Sequence, residues 1–109
     1  MMERREYVDR LGRNPFRRWR DDLDAVAVAR IATALDRLLQ GNVSQVKSVG
    51  SGVSELKVDF GSGYRVYFGW DGPKLIILLG GGTKKRQQQD IAQALDSWAD
   101  YKSRKPRGA

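Results

Sequence analysis

The chain contains no cysteine and no histidine. The absence of cysteine removes disulfides and a catalytic thiol. The absence of histidine removes an imidazole base, and without either residue a zinc site has no ligands of its usual kind. Acid–base chemistry is left to Lys, Tyr, Asp, Glu or Arg. No apolar run approaches the roughly 20 residues of a membrane-spanning helix; the longest is Leu75 to Leu79. The amino terminus is charged and lacks a secretory core, which leads us to expect a cytoplasmic protein with no membrane partner. There is also no internal repeat and no linker-like stretch.

A length of 109 residues with 40% hydrophobic and 30% charged content fits one soluble globular domain, residues 1–109, with one modest core. Twenty Lys and Arg against 13 Asp and Glu leave a net charge of +7. Such an excess points to a polyanionic partner, most often nucleic acid; the plain alternative is a basic protein with no such ligand.

Residues 55–69 carry the clearest pattern. Leu56, Val58 and Phe60 alternate with Glu55, Lys57 and Asp59, as in a half-buried strand. Gly61-Ser62-Gly63 supplies a turn, and Tyr64, Val66 and Phe68 share one parity of a second strand. A three-residue loop pairs Phe60 with Tyr64, Val58 with Val66 and Leu56 with Phe68, which makes one apolar face. It also pairs Asp59 with Arg65 and Lys57 with Tyr67, gathering these four on a polar surface. A two-residue loop would set Lys57 against Phe68 and mix the faces.

Upstream, residues 3–9 suggest a short edge strand around Glu6-Tyr7-Val8. Arg10, Arg13, Arg17, Arg18 and Arg20 form a basic cluster, either a solvated face or an extension of a phosphate-binding surface. Asn14-Pro15 is a helix start. Phe16, Trp19, Leu23, Val26, Ile31, Ala34, Leu35 and Leu38 follow at helical spacing as far as the Gly41-Asn42 stop. Asp21-Asp22 marks a break and caps a second helical piece. Val43–Val49 suggests a strand anchored by Val46, and Gly50-Ser51-Gly52 turns the chain into the central hairpin.

Downstream, Asp71-Gly72-Pro73 signals a turn and Lys74–Leu79 a strand inside the sheet. Gly80-Gly81-Gly82 ends that strand and lacks phosphate-loop spacing. Thr83 is the expected cap of a final helix with Ile91, Leu95, Trp98 and Tyr101 as its apolar stripe. Lys84, Lys85 and Arg86 sit in its first turn, where the helix dipole disfavours cations, so a reason other than helix stability is indicated. Lys102, Arg104, Lys105 and Arg107 form a basic tail, with residues 103–109 expected to fray. The sum is an α+β domain, with an N-terminal helical region and a C-terminal helix packed on one face of a curved, mainly antiparallel sheet.

In ordered combination these residues resemble the RelE/ParE superfamily of toxins, and within it the phage Gp49-like or HigB-like branch, also called addiction-module killer proteins. The resemblance runs from Pro15-Phe16 and Trp19 through Ala29-Arg30-Ile31, Arg37-Leu38 and Gly41-Asn42. It continues with Lys47, Val49-Gly50, Gly52-Val53, Glu55-Leu56, Gly61 and Gly63 to Phe68. It closes on Leu78-Leu79, Gly81-Gly82, Lys84, Gln87 and Asp90-Ile91. Lys57 stands where the family often has arginine, Ser62 where proline is frequent and Thr83 where Asp or Asn is frequent. Lys85-Arg86 replace small hydroxyl residues.

The resemblance implies a RelE-like fold and the toxin of a type II toxin–antitoxin system, neutralised by an antitoxin that is often a helix-turn-helix protein. RelE-like and HigB-like members enter the ribosomal A site and cleave mRNA as endoribonucleases; ParE-like members inhibit DNA gyrase without catalysis. An inactive remnant that binds antitoxin or operator DNA is a third alternative.

For metal-independent RNA cleavage through the ribose 2′-OH, with no cofactor, Lys57, Arg65 and Lys84 are the candidates for charge stabilisation. Arg65 leads because its planar fork matches phosphate oxygens, and its strand position matches an arginine implicated in RNA-cleaving family members. Lys57 is a candidate stabiliser or base, since neighbouring cations and burial favour a neutral lysine. Tyr67 and Tyr101 are candidate proton donors or stacking surfaces. Arg13, Arg17, Lys47, Lys85 and Arg86 are candidates for RNA or ribosome binding. Against Arg65 stands the simpler alternative of a cross-strand ion pair with Asp59, worth little at a surface.

Overall fold

The structure, a computed structural model, describes residues 2–105. Strand β1 (Glu3–Glu6) is followed by helices α1 (Pro15–Asp21) and α2 (Ala25–Leu39). Strands β2 (Val46–Gly50), β3 (Val53–Val58), β4 (Tyr64–Trp70) and β5 (Leu75–Gly82) come next. A 3₁₀ turn at Lys84–Arg86 then leads into α3 (Gln87–Arg104). The sheet order is β1-β5-β4-β3-β2. Only β1 is parallel to its neighbour, β5; the remaining pairs are antiparallel. This is the expected α+β class with a mainly antiparallel sheet.

The helices differ from expectation in covering both faces. Phe16, Ile31, Leu35 and Leu38 pack with Leu56, Val58, Val66, Phe68, Ile76 and Leu78 under α1 and α2. On the other side, Ala94 and Trp98 of α3 pack with Tyr7, Val53, Tyr67, Ile77 and Leu79. The reason lies in the central strands. Leu75–Leu79 is apolar at every position, and a run without alternation has to be buried on both faces. Of the odd residues of the hairpin, Glu55 and Tyr67 are therefore interior as well, and Tyr67 is fully buried.

The hairpin register is also displaced. Val58 pairs with Tyr64, Lys57 with Arg65, Leu56 with Val66 and Glu55 with Tyr67, which leaves residues 59–63 as the loop. A shift of two positions keeps every side chain on its face, so parity does not distinguish this register from the shorter loop. The turn itself decides. The Phe60 N–H donates to the Val58 carbonyl and the Gly63 N–H to the Phe60 carbonyl. Gly61 (φ 60°) and Gly63 (φ 88°) take left-handed conformations. Phe60 thereby leaves the strand and stacks on Tyr64.

The N-terminal helix starts as expected, with the Asn14 side chain accepting from the Arg17 N–H at 3.0 Å. The second helix is capped by Asp24 and not by Asp21-Asp22, its carboxylate accepting from the Ala27 N–H at 2.8 Å. That frame buries Ala27 and turns Val26 to solvent, against its expected place in the apolar stripe.

Strand β5 runs through the three glycines instead of ending before them. An irregularity between the Phe68–Leu78 and Tyr67–Gly80 pairs shifts the facing of the last residues. Thr83 makes no side-chain cap bond, and Lys84–Arg86 lie in the 3₁₀ turn, not in the first turn of α3. α3 continues to Arg104, into the stretch expected to fray, and Arg104 donates to Asp100 and to the Val8 carbonyl. Arg107 of the basic tail lies outside the described residues.

Two glycines let the indoles lie flat against the sheet. A Cβ on Gly69 would stand 2.4 Å from the Trp98 ring, and one on Gly81 2.3 Å from the Trp19 ring. Gly69→Ala should destabilise the fold by about 2 kcal/mol or more through overpacking. Gly12→Ala, with φ 81° and nothing within 4 Å of the added carbon, should cost only about 1 kcal/mol of backbone strain. Urea unfolding of both variants measures the difference.

Candidate functional site

The strand ladders set two rows of residues across the face beneath α3. One row is Lys57, Arg65 and Gly82. The next is Lys47, Glu55, Tyr67 and Gly80. Gly82 has no side chain, and Asp90 of α3 occupies the space: a Cβ there would stand 2.1 Å from Asp90 Oδ2. Lys84 follows Gly82 by two positions, so the chain leaving the row carries Lys84, Lys85 and Arg86, all exposed.

Arg65 does not pair with Asp59. Its Nε lies 3.4 Å from Glu55 Oε1, with both side chains nearly buried at 13% and 8% exposure. The other Glu55 oxygen accepts from Gln87 Nε2 at 3.2 Å, which ties the start of α3 to the sheet. The Arg65–Glu55 contact is ionic without hydrogen-bond alignment, so the Nε–H has no acceptor. Among the described residues, the buried side-chain polar atoms left without a partner are this Nε and the Tyr67 hydroxyl. Buried polar atoms are nearly always satisfied, so two failures in adjacent rows mark the region as unusual.

Tyr67 and Tyr101 leave the catalytic set. Burial, followed by the Glu55 and Asp90 carboxylates, pushes the Tyr67 phenol up to about 12, with Arg65 opposing. Its ring sits under α3, away from solvent. Tyr101 donates to Asp71 Oδ2 at 2.5 Å and stacks on Trp98 at 5.3 Å between centroids, so it anchors α3. Burial and that bond push it up to about 12. Lys57 is exposed, where its side chain can reach a phosphate.

The perturbed carboxyl to which sequence reasoning gave no role is Asp90. Burial holds its carboxyl above the usual range, with Arg86 opposing. Glu55 was missed too. Both residues enter the family resemblance, but the signal for their role is tertiary: an α3 carboxylate over a strand glycine, and a strand carboxylate beneath a helix.

The binding candidates separate. Lys47, Lys85 and Arg86 are exposed near the rows, and Arg86 Nε donates to Gln89 at 2.9 Å. Arg13 pairs with Asp9 at 2.6 Å and Arg17 with Glu6 at 3.0 Å. Arg13 and Arg86 meet in a groove of about 610 Å³ between α1 and α3, floored by Gly80 and Gly81 and bordered by Asp90. The arrangement combines a row of cationic side chains with a partly desolvated carboxylate at the end of an open groove. It can hold a phosphodiester and exchange a proton beside it.

A small α+β domain with a cationic row beside a buried and a half-buried carboxylate is the class that fold and site define. Comparison with known families makes it specific. The sequence model of the phage-derived protein Gp49-like family matches residues 18–97, and the chain belongs to that family. The match contains both rows and Asp90. The chain is also 44% identical over 68 residues to an uncharacterized protein of Haemophilus influenzae, covering 62% of this chain and 69% of that protein. Among the described residues no helix is long and apolar enough to cross a membrane.

The two perturbed aspartates give opposite pH effects. Asp90 has a raised folded pKa, so its ionisation costs stability as pH rises through the unfolded value near about 3.9 to the folded one. Asp90→Asn should be more stable than wild type at pH 7 and equal to it in acid. Asp71 is held low by Lys105 and then Tyr101, so its stabilisation is present above the unfolded value and lost as pH falls through the folded one. Asp71→Asn should be less stable at pH 7, with the deficit closing in acid. Urea midpoints across pH 3–7 check both signs.

Proposed function

We propose that this chain is a RelE/ParE-type toxin of a toxin–antitoxin pair, and that it cleaves mRNA on the ribosome without a metal. The observation that carries this function is the Lys57–Arg65–Gly82 row with Asp90 standing over its glycine end. The Asp90 carboxylate accepts the proton of the ribose 2′-OH. The freed oxygen attacks the adjacent phosphorus, a 2′,3′-cyclic phosphate forms, and the bond to the 5′-oxygen breaks. Arg65 and Lys57 stabilise the added negative charge on the non-bridging oxygens. Lys84, exposed in the turn before α3, protonates the departing 5′-oxygen. A carboxylate with a raised pKa suits the acceptor role better than an ordinary aspartate, because it binds the proton more firmly. The ribosome and mRNA are the proposed targets, and a helix-turn-helix antitoxin the proposed neutralising partner.

The test is induction of the protein in cells followed by mapping of new mRNA 5′ ends relative to codons. Codon-phased cuts are expected. Lys57→Ala and Asp90→Asn should lower the cutting rate by about a hundredfold or more. Arg65→Ala alone is a poor probe, because it strands Glu55 as a buried charge at a cost of about 3–5 kcal/mol. Arg65→Ala with Glu55→Gln avoids that. Intact mRNA with DNA damage would transfer the function to gyrase inhibition, and an absence of any growth effect would leave an inactive antitoxin-binding or DNA-binding remnant.

A further inference from the structure

A cleft of about 320 Å³ opens between α2 and the end of β3 with the loop that joins it to β4. Arg30, Thr33 and Arg37 line it from the helix, and Lys57, Asp59 and Phe60 from the strand and loop. The helical residues lie at i, i+3 and i+7, on one stripe of α2, which sets the two arginines about 10 Å apart along its axis. The cleft is of the size that takes a small ligand.

Its cations differ from the arginines that are tied up in ion pairs. Arg13, Arg17, Arg20, Arg65 and Arg104 each have a carboxylate within 4 Å. Among the described residues, Arg30, Arg37 and Lys57 pair with none. Arg30 is held all the same. Its guanidinium lies 5.0 Å from the Phe60 ring centroid, Phe60 stacks on Tyr64 at 6.4 Å, and Tyr64 meets the edge of Trp19 at 6.2 Å. The five-residue loop is what brings Phe60 out of the strand to this position. A planar cation supported on one face by an aromatic ring presents its other face for stacking. Lys57 belongs both to this cleft and to the Lys57–Arg65 row, so the two cationic regions share a border.

We infer that this cleft is a second RNA-binding subsite, which takes one nucleotide of a single strand with its base against the Arg30 guanidinium and neighbouring phosphates on Arg37 and Lys57. It deepens the nuclease function proposed above and rests on it for RNA as the substrate class. Unpaired bases stack on arginine planes as well as on aromatic rings, and phosphate contacts supply the affinity. The cleft brings no desolvated carboxylate, so it binds and does not cleave. A strand held there crosses Lys57 on its way to Arg65.

The experiment is fluorescence anisotropy with a short, labelled, 2′-O-methylated RNA, which cannot be cut through its 2′ oxygen, measured across a range of KCl. Arg30→Gln/Arg37→Gln should weaken binding by about tenfold or more. It should also lower the slope of log K against log salt by about 0.7, the amount for the one single-strand phosphate contact assigned to Arg37. Arg4→Gln/Lys74→Gln carries the same change in net charge at exposed positions on β1 and before β5, and should bind like wild type. Circular dichroism verifies that both variants fold. Equal binding by the two double variants, or no RNA binding by the wild type, overturns the subsite. An acidic peptide that competes as well as RNA also overturns it, in favour of a protein partner. The nuclease is read separately: RNA held through Arg30 and Arg37 by a chain that cuts no mRNA in cells retains the cleft and discards the nuclease. Cutting that continues while the double variant binds normally does the reverse.

Discussion

The structure depends on the close approach of two tryptophans to bare backbone at the centre of the sheet. Trp98 of α3 lies against Gly69 on one face, and Trp19 of α1 against Gly81 on the other. Central strands that are apolar on both sides need cover on both sides, and an indole on a glycine supplies much area with little separation. The rest of α3 follows from this contact. Tyr101 stacks on Trp98 and reaches Asp71, while Ile91 and Leu95 pack against the same cluster. With the helix docked at that depth, its opening turn comes down over Gly82, and Asp90 enters the space a side chain would have filled.

That placement gives the candidate site its chemistry at some expense to the fold. A carboxylate is held partly out of water, an arginine and a glutamate are nearly buried without an aligned hydrogen bond between them, and a phenol is buried without a partner. Each would be easier to satisfy with apolar residues. Local rules that are obeyed elsewhere in the chain, such as the Asn14 and Asp24 caps, fail together in this one region. Violations concentrated in one place are the pattern expected of a functional site.

Charge sorts the surface in a similar way. Along the N-terminal segment, arginines are matched to Asp9, Glu6 and Asp21, so the cluster that dominates the sequence is largely neutralised by its own neighbours. Among the described residues, the cations without an ion pair include Arg30, Arg37 and Lys57, and Lys84 and Lys85 after β5. These are the positions where a polyanion gains most, since no internal ion pair has to be broken to bind it. Membership of the Gp49-like family spans this whole region.

Much of the fold was legible from residues alone. Alternation at Leu56, Val58, Val66 and Phe68 marks the hairpin, Asn14-Pro15 starts a helix at the observed residue, and Gly50-Ser51-Gly52 turns where it should. Parity even assigned these strand residues to the right face. It failed to see a shift of two positions, because such a shift moves no side chain between faces. The shift replaces Asp59 by Lys57 opposite Arg65 and hands Arg65 to Glu55. The candidate site was legible in part: Arg65, Lys57 and Lys84 were named as cations, whereas Tyr67 was misplaced on an open surface and Asp90 was given no role. Sequence by itself determined which segments become helix and strand and which cations are available, since these follow from local periodicity and composition. Only the tertiary structure decided that α3 covers the second face, because the depth at which a helix docks depends on Gly69 lying beneath Trp98, a residue far from it in the chain.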